Sequence, residues 1–137
     1  MTLTVNPIGD NPMTPGIAAE TYQPDQLIAG RFPLVTTNAT IASGTLQRGT
    51  VLGQVTASGD YIESVATAAD GSQNPVAILA DYADASGGAV IAPIYLTGEF
   101  NQDKLVFDAS WTVATLQPKL RPLSIFLKSF VSAADPT

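Results

Sequence analysis

Residues 43–55 read SGTLQRGTVLGQV, and two folds compete for them. Gly44 and Gly49, with Thr50 directly after, approximate the glycine-rich loop that cradles phosphate between a strand and a helix. That loop needs a lysine to reach the β- and γ-phosphates, a hydroxyl to hold magnesium, and a following helix whose amides face the anion. No lysine stands between Gly49 and Thr50, Arg48 precedes the glycine, and Val51-Leu52-Gly53-Gln54-Val55 is strand-like. The glycines read as a corner that launches a strand, and the fold as all-β.

Outward from this corner the same rhythm continues, with short apolar runs separated by glycine-bearing turns. Tyr61–Val65 alternates after Ser58-Gly59-Asp60, so it is expected to form a hairpin with Val51–Val55. Pro75-Val76-Ala77-Ile78-Leu79-Ala80 is apolar on both faces and is expected at the centre of the core. Asp70-Gly71 reads as the turn before it. In Val90–Thr97 the residues Val90, Ala92, Ile94 and Leu96 share a face, Pro93 implies an edge or bulge, and Gly98 is expected to end the strand. Gly49, Gly53, Gly71 and Gly98 are thus read as structural turns. A first strand is expected over Arg31–Val35, interrupted by Pro33, and a last one over Leu123–Lys128. Asn101–Phe107 is ambiguous, with Leu105 and Phe107 suited to pack together. Between them and the last strand, Ser110 is placed to cap a short helix over Trp111–Gln117 that Pro118 stops.

Residues 1–28 differ in kind. Pro7, Pro12, Pro15 and Pro24, with Gly9 and Gly16, break any period, so this segment is expected to be an extended arm preceding a single β-rich domain over 29–137. Neither an internal repeat nor a linker divides the rest. The start of the chain has no basic region and no signal-like apolar run, and no segment approaches the length of a membrane span, so a soluble protein made in the cytoplasm is expected.

Composition narrows the chemistry. The chain has 137 residues, 45% hydrophobic and only 13% charged, with a net charge of −6. A chain of this length can bury a core without staples. So few charges imply apolar surface that meets a partner, and the negative balance repels phosphate backbones and anionic lipid, so no nucleic acid or membrane partner is expected. Cysteine and histidine are absent, which removes disulfides, thiolate nucleophiles, histidine-dependent triads and the usual zinc ligands. Catalysis would have to rest on carboxylates; Asp81 and Asp84 lie three apart but in a loop, where acids are ordinarily solvated. No catalytic, metal or cofactor-binding residue is assigned. Trp111, Phe107, Phe126 and Phe130 admit a sugar groove, although core or subunit packing is the commoner fate of aromatics.

Three segments in order carry a family pattern: Arg48-Gly49-Thr50-Val51-Leu52-Gly53, then Asp70-Gly71-Ser72 with Pro75-Val76-Ala77-Ile78-Leu79, then Tyr95-Leu96-Thr97-Gly98-Glu99-Phe100-Asn101. This resembles the head decoration proteins of tailed bacteriophages, the family typified by protein D of phage lambda, and Leu120–Lys128 is similar to that family's closing strand. The resemblance implies a mainly β, small barrel-like or β-tulip domain with one short helix and an extended N-terminal arm. It implies a homotrimer on the outer capsid surface of the virion at threefold and quasi-threefold sites, cementing the major capsid protein of the expanded head, with no enzymatic activity. The segment from Lys119 to Thr137 departs from the pattern in its two prolines and its tail beyond Lys128. Within the arm, Thr2-Leu3-Thr4-Val5 alternates as a strand added to a capsid sheet edge requires, and Thr2, Leu3, Thr4, Val5 and Ile8 are the expected capsid contacts. The alternative from a different class is a small β-sandwich carbohydrate-binding or adhesion module.

Overall fold

A computed structural model describes residues 26–129, and the expected arm contacts Thr2, Leu3, Thr4, Val5 and Ile8 lie outside them. Among the described residues eight strands form: β1 (Val35–Ile41), β2 (Thr45–Leu46), β3 (Val51–Gln54), β4 (Tyr61–Glu63), β5 (Pro75–Leu79), β6 (Ala83–Asp84), β7 (Val90–Asn101) and β8 (Ile125–Lys128). One helix, α1 (Val113–Leu120), lies between β7 and β8. In the main sheet the order is β1-β4-β3-β5-β7-β8, and an additional β1–β7 pairing closes five strands into a barrel with β8 appended. The fold is mainly β with one short helix.

β5 explains how a strand apolar on both faces is used. Ala77 and Leu79 point into the barrel, joining Ile41, Leu52, Ala92 and Ile94. Ile78 points the other way, into a second core with Val51, Phe100, Leu116, Leu120 and Ile125 beneath the helix. Val51 and Leu52 divide between the two cores in the same manner, as period two requires. The β3–β4 hairpin forms antiparallel, with Gln54 opposite Tyr61.

At the corner of residues 43–55, main-chain groups that a phosphate loop would turn toward an anion are spent on pairing. Gly49 N–H donates to the Leu79 carbonyl at 2.9 Å, and the Gly49 carbonyl accepts from Val106 N–H at 3.0 Å. Gly49 has φ +93, and a Cβ there would lie 2.9 Å from the Lys104 carbonyl oxygen. Arg48 fixes the corner by donating to the Ala80 carbonyl and, at 3.2 Å, to the Tyr95 hydroxyl.

Several elements differ from the sequence expectation. The first strand is Val35–Ile41 rather than Arg31–Val35: its β-branched run VTTNATI pairs along β7 with Val35–Asn38 exposed on both faces and only Ile41 buried, leaving no apolar alternation to read. β7 does not end at Gly98 but continues to Asn101. Gly98 is therefore a strand position, not a turn; its φ of +147 and the close approach of Leu34 and Phe100 leave room for no other residue. Gly53 likewise lies inside β3, where a Cβ would overlap the Ser72 main chain. Gly71, with φ +105, does sit in the turn before β5. Pro93 is not at a sheet edge: it faces Asn38 on β1, and on its other side its carbonyl accepts Ala80 N–H at 2.9 Å, while the Ala80 carbonyl opposite the missing N–H accepts from Arg48 instead.

The helix also shifts. It starts at Val113 under a Thr112–Thr115 capping box, while Ser110 accepts instead from Ala66 N–H at 2.9 Å. Pro118 stands inside it rather than after it, because Leu116 and Leu120, one turn apart and both fully buried, hold the last turn against the core. Arg121–Leu123 is a 3-10 turn, and left-handed Ser124 at φ 64 delays β8 to Ile125.

Trp111 is buried in the second core, and its indole N–H finds no acceptor among the described residues. Losing the donor in Trp111→Phe removes a desolvation cost of about 1–3 kcal/mol, close to the cost of the smaller ring. Urea denaturation should place Trp111→Phe within about 1 kcal/mol of wild type, whereas Trp111→Ala should lose about 3–5 kcal/mol.

Candidate functional site

The candidate acids are turn formers. Asp70, Asp84 and Asp108 each accept the backbone N–H of a serine two residues on, at 3.0, 3.1 and 2.9 Å. The first two also accept the serine hydroxyl, at 2.5 and 2.6 Å. These bonds to Ser72, Ser86 and Ser110 hold all three carboxyls below the usual aspartate range. Asp84 also accepts from Thr45, while Asp81 caps Tyr82 N–H, so the Asp81/Asp84 pair is divided between separate local bonds. Glu63 moves the opposite way, raised by burial and by the nearby Asp108 charge. Among the described residues, no group of three or more potential ligands gathers for a metal ion.

The aromatics are likewise absorbed. Trp111 is core, Phe107 packs against the same cluster, and Phe126 is met edge-on by Phe32 with ring centres 5.1 Å apart. Phe130 lies outside the described residues. Beside Phe126 a hollow of about 50 Å³ is lined by Gln117, Arg121, Ile125, Phe126 and Leu127. That volume holds a few waters, not a sugar ring.

What the sequence did not disclose is a clamp on the segment leading out of the barrel toward the N-terminus. Leu27 is buried, Ile28 bridges antiparallel to Phe100, Ala29 N–H donates to the Glu99 carbonyl and Asn101 N–H donates to that of Leu27. Gly30 lies against the Glu99 side chain, which any Cβ would overlap. The Glu99 carboxylate accepts Phe32 N–H at 3.1 Å and pairs with Lys128 Nζ at 3.1 Å. Thr97 completes the grip: its hydroxyl donates to the Pro33 carbonyl and accepts from Val35 N–H. The contacts of Phe32, Pro33 and Val35 each join residues more than sixty apart in sequence, so spacing carries no sign of them.

Lys128, and then the Phe32 amide, hold the Glu99 carboxyl below the ordinary value of 4.5. Because the folded pKa is the lower one, this contribution is complete above that value and is lost as pH falls through the folded pKa. At neutral pH, where trypsin is active, its cleavage at the exposed Arg31 reads the clamp through a variant that lacks the carboxylate. Glu99→Ala at neutral pH should be cut faster than wild type, with the barrel itself intact on a gel.

A second surface faces outward from β1 and β7. No charged residue occurs between Arg31 and Arg48 or between Asp84 and Glu99, and the β1–β7 pairing sets these two neutral stretches side by side. Ile91, opposite Thr40, is 75% exposed.

The described residues thus form a small barrel that offers contact surfaces and an anchored outgoing segment. The family model of bacteriophage lambda head decoration protein D matches residues 18–126, and the chain belongs to that family. It is a phage head decoration protein, a structural component of the virion capsid rather than a member of an enzyme family. No match was found among curated proteins. Among the described residues, no helix is long and apolar enough to cross a membrane.

Proposed function

We propose that the protein binds as a homotrimer to the outer surface of the expanded head, at threefold and quasi-threefold sites, and stabilises the shell against internal DNA pressure. Its partners are the major capsid protein and its own copies; it uses no cofactor, performs no catalysis and contacts no nucleic acid or membrane. It is made in the host cytoplasm and ends on the outer face of the capsid. Residues 1–28 act as the capsid-binding arm and 29–137 as the decoration domain.

The family match over residues 18–126 carries this reading. Physical chemistry supports it. A cement protein needs several modest contacts acting together, and linking three copies raises the effective concentration of each remaining contact. The Glu99 clamp fixes the point from which the arm departs, which limits the entropy lost when the arm orders on a partner. A net charge of −6 repels DNA. Heads of the phage that encodes the protein, heated with and without it, test the proposal: bound protein should raise the temperature of DNA release by several degrees, and an unchanged release temperature at full occupancy would contradict stabilisation.

A further inference from the structure

We infer that copies of this chain meet through the β1–β7 ribbon, a deepening of the homotrimer reading on which it rests. The first observation is an open sheet edge. Ala42 N–H turns away from β7 to the Tyr61 carbonyl at 2.9 Å. From Thr36 to Ile41 the register with β7 is regular, so period two puts the main-chain groups of Thr36, Asn38 and Thr40 on that same outer side. β4 pairs with β1 only at Ile41, and among the described residues no strand covers the edge before it.

The second observation is that this edge lacks the usual guards. Natural edges are blunted by lysine, proline, inward charge or bulges. Beyond the irregularity between Val35 and Thr36, the edge carries none of these through Ile41. Beside it on β7, Ile91 stands 75% exposed and Pro93 lies opposite Asn38.

Charge selects the occupant. Copies with a net charge of −6 repel each other everywhere except where ionisable groups are missing, and the ribbon joins the two neutral stretches that flank the Arg48 corner and precede Glu99. A closed ring of three requires two adjoining patches on each copy rather than one self-complementary patch. The open main-chain edge of β1 and the apolar face around Ile91 are two such patches.

Sedimentation velocity on the full chain tests this with Ile91→Glu and Asn38→Glu, both at exposed side chains away from the cores. Val106→Glu, at another exposed apolar position, is the control. Placing three like charges around one axis should raise the concentration needed for trimers about a hundredfold or more. Circular dichroism and melting should remain those of wild type for all three variants. Trimeric wild type and control with monomeric, folded Ile91→Glu and Asn38→Glu supports the inference. Trimers in every variant overturn it while leaving the homotrimer reading intact, and so do variants that stay trimeric but no longer bind heads, which would give the ribbon to the capsid. A wild type that is monomeric at all concentrations and on heads overturns the homotrimer reading itself.

Discussion

Gly53→Ala is expected to lose about 3–5 kcal/mol, much of the roughly 5–15 kcal/mol that holds a domain of this kind folded. Gly53 is buried in β3, and a Cβ there would overlap the Ser72 carbonyl oxygen and come within 2.7 Å of its carbonyl carbon and Cα. The obstacle is backbone, so no side chain can swing aside. The same carbonyl accepts the buried Ser64 hydroxyl at 2.7 Å. Moving the Ser72 turn away to admit a methyl therefore strains the β3–β5 contact and strands a buried donor, two costs from one substitution. Gly87→Ala is the matched control: a Cβ there meets nothing within 4 Å, and its φ is outside the left-handed region. Urea denaturation should separate the two by at least about 3 kcal/mol. Equal midpoints would show that the Ser72 turn yields freely.

The second large effect is expected on binding rather than folding. Deleting Met1–Ile8 should leave the barrel intact, since Leu27–Leu127 already supply two extensive cores among the described residues. If the proposed trimer and arm contact hold, affinity for expanded heads should fall about a hundredfold or more, because each copy then loses a strand-like contact and the losses compound through avidity. Cryo-microscopy of decorated heads at limiting protein reads this directly. Undiminished occupancy by the truncated chain, with melting unchanged, would remove Thr2, Leu3, Thr4, Val5 and Ile8 from the binding account.

Acidification links the turns to stability. Asp70, Asp84, Asp108 and Glu99 all sit below their ordinary values in the fold, so each contributes stability at neutral pH that disappears as pH falls through its folded pKa. Glu63, raised, contributes in the opposite sense. Four against one predicts a melting temperature that declines below about pH 4, the region of the reference carboxylate values.

The parts of the fold legible in the sequence are those governed by local rules. β5 was readable because both its faces are buried, the β3–β4 hairpin because its turn carries Gly59, and the corner at Arg48-Gly49 because a strand follows it. β1 was not readable, since Val35–Asn38 are exposed on both faces and leave no apolar alternation, and β7 ran through Pro93 and Gly98, which ordinarily punctuate strands. Only its neighbours show why both fit: Arg48 satisfies the Ala80 carbonyl that the missing Pro93 N–H leaves open, and Gly98 receives Leu34. Ser110 and Thr112 are equally good caps on paper; the burial of Leu116 and Leu120 decides between them. The Glu99 clamp depends on a strand bringing Phe32 and Lys128 to one carboxylate, a three-dimensional fact. Three Asp-x-Ser turns were visible as sequence, and their pattern explains why those acids are structural.

The most direct test of the central claim is co-sedimentation of the full-length protein with heads of the phage that encodes it, before and after expansion. Saturable pelleting with expanded heads and little with unexpanded ones is the predicted result. Protein that stays in the supernatant with both kinds of head would contradict capsid decoration by this chain.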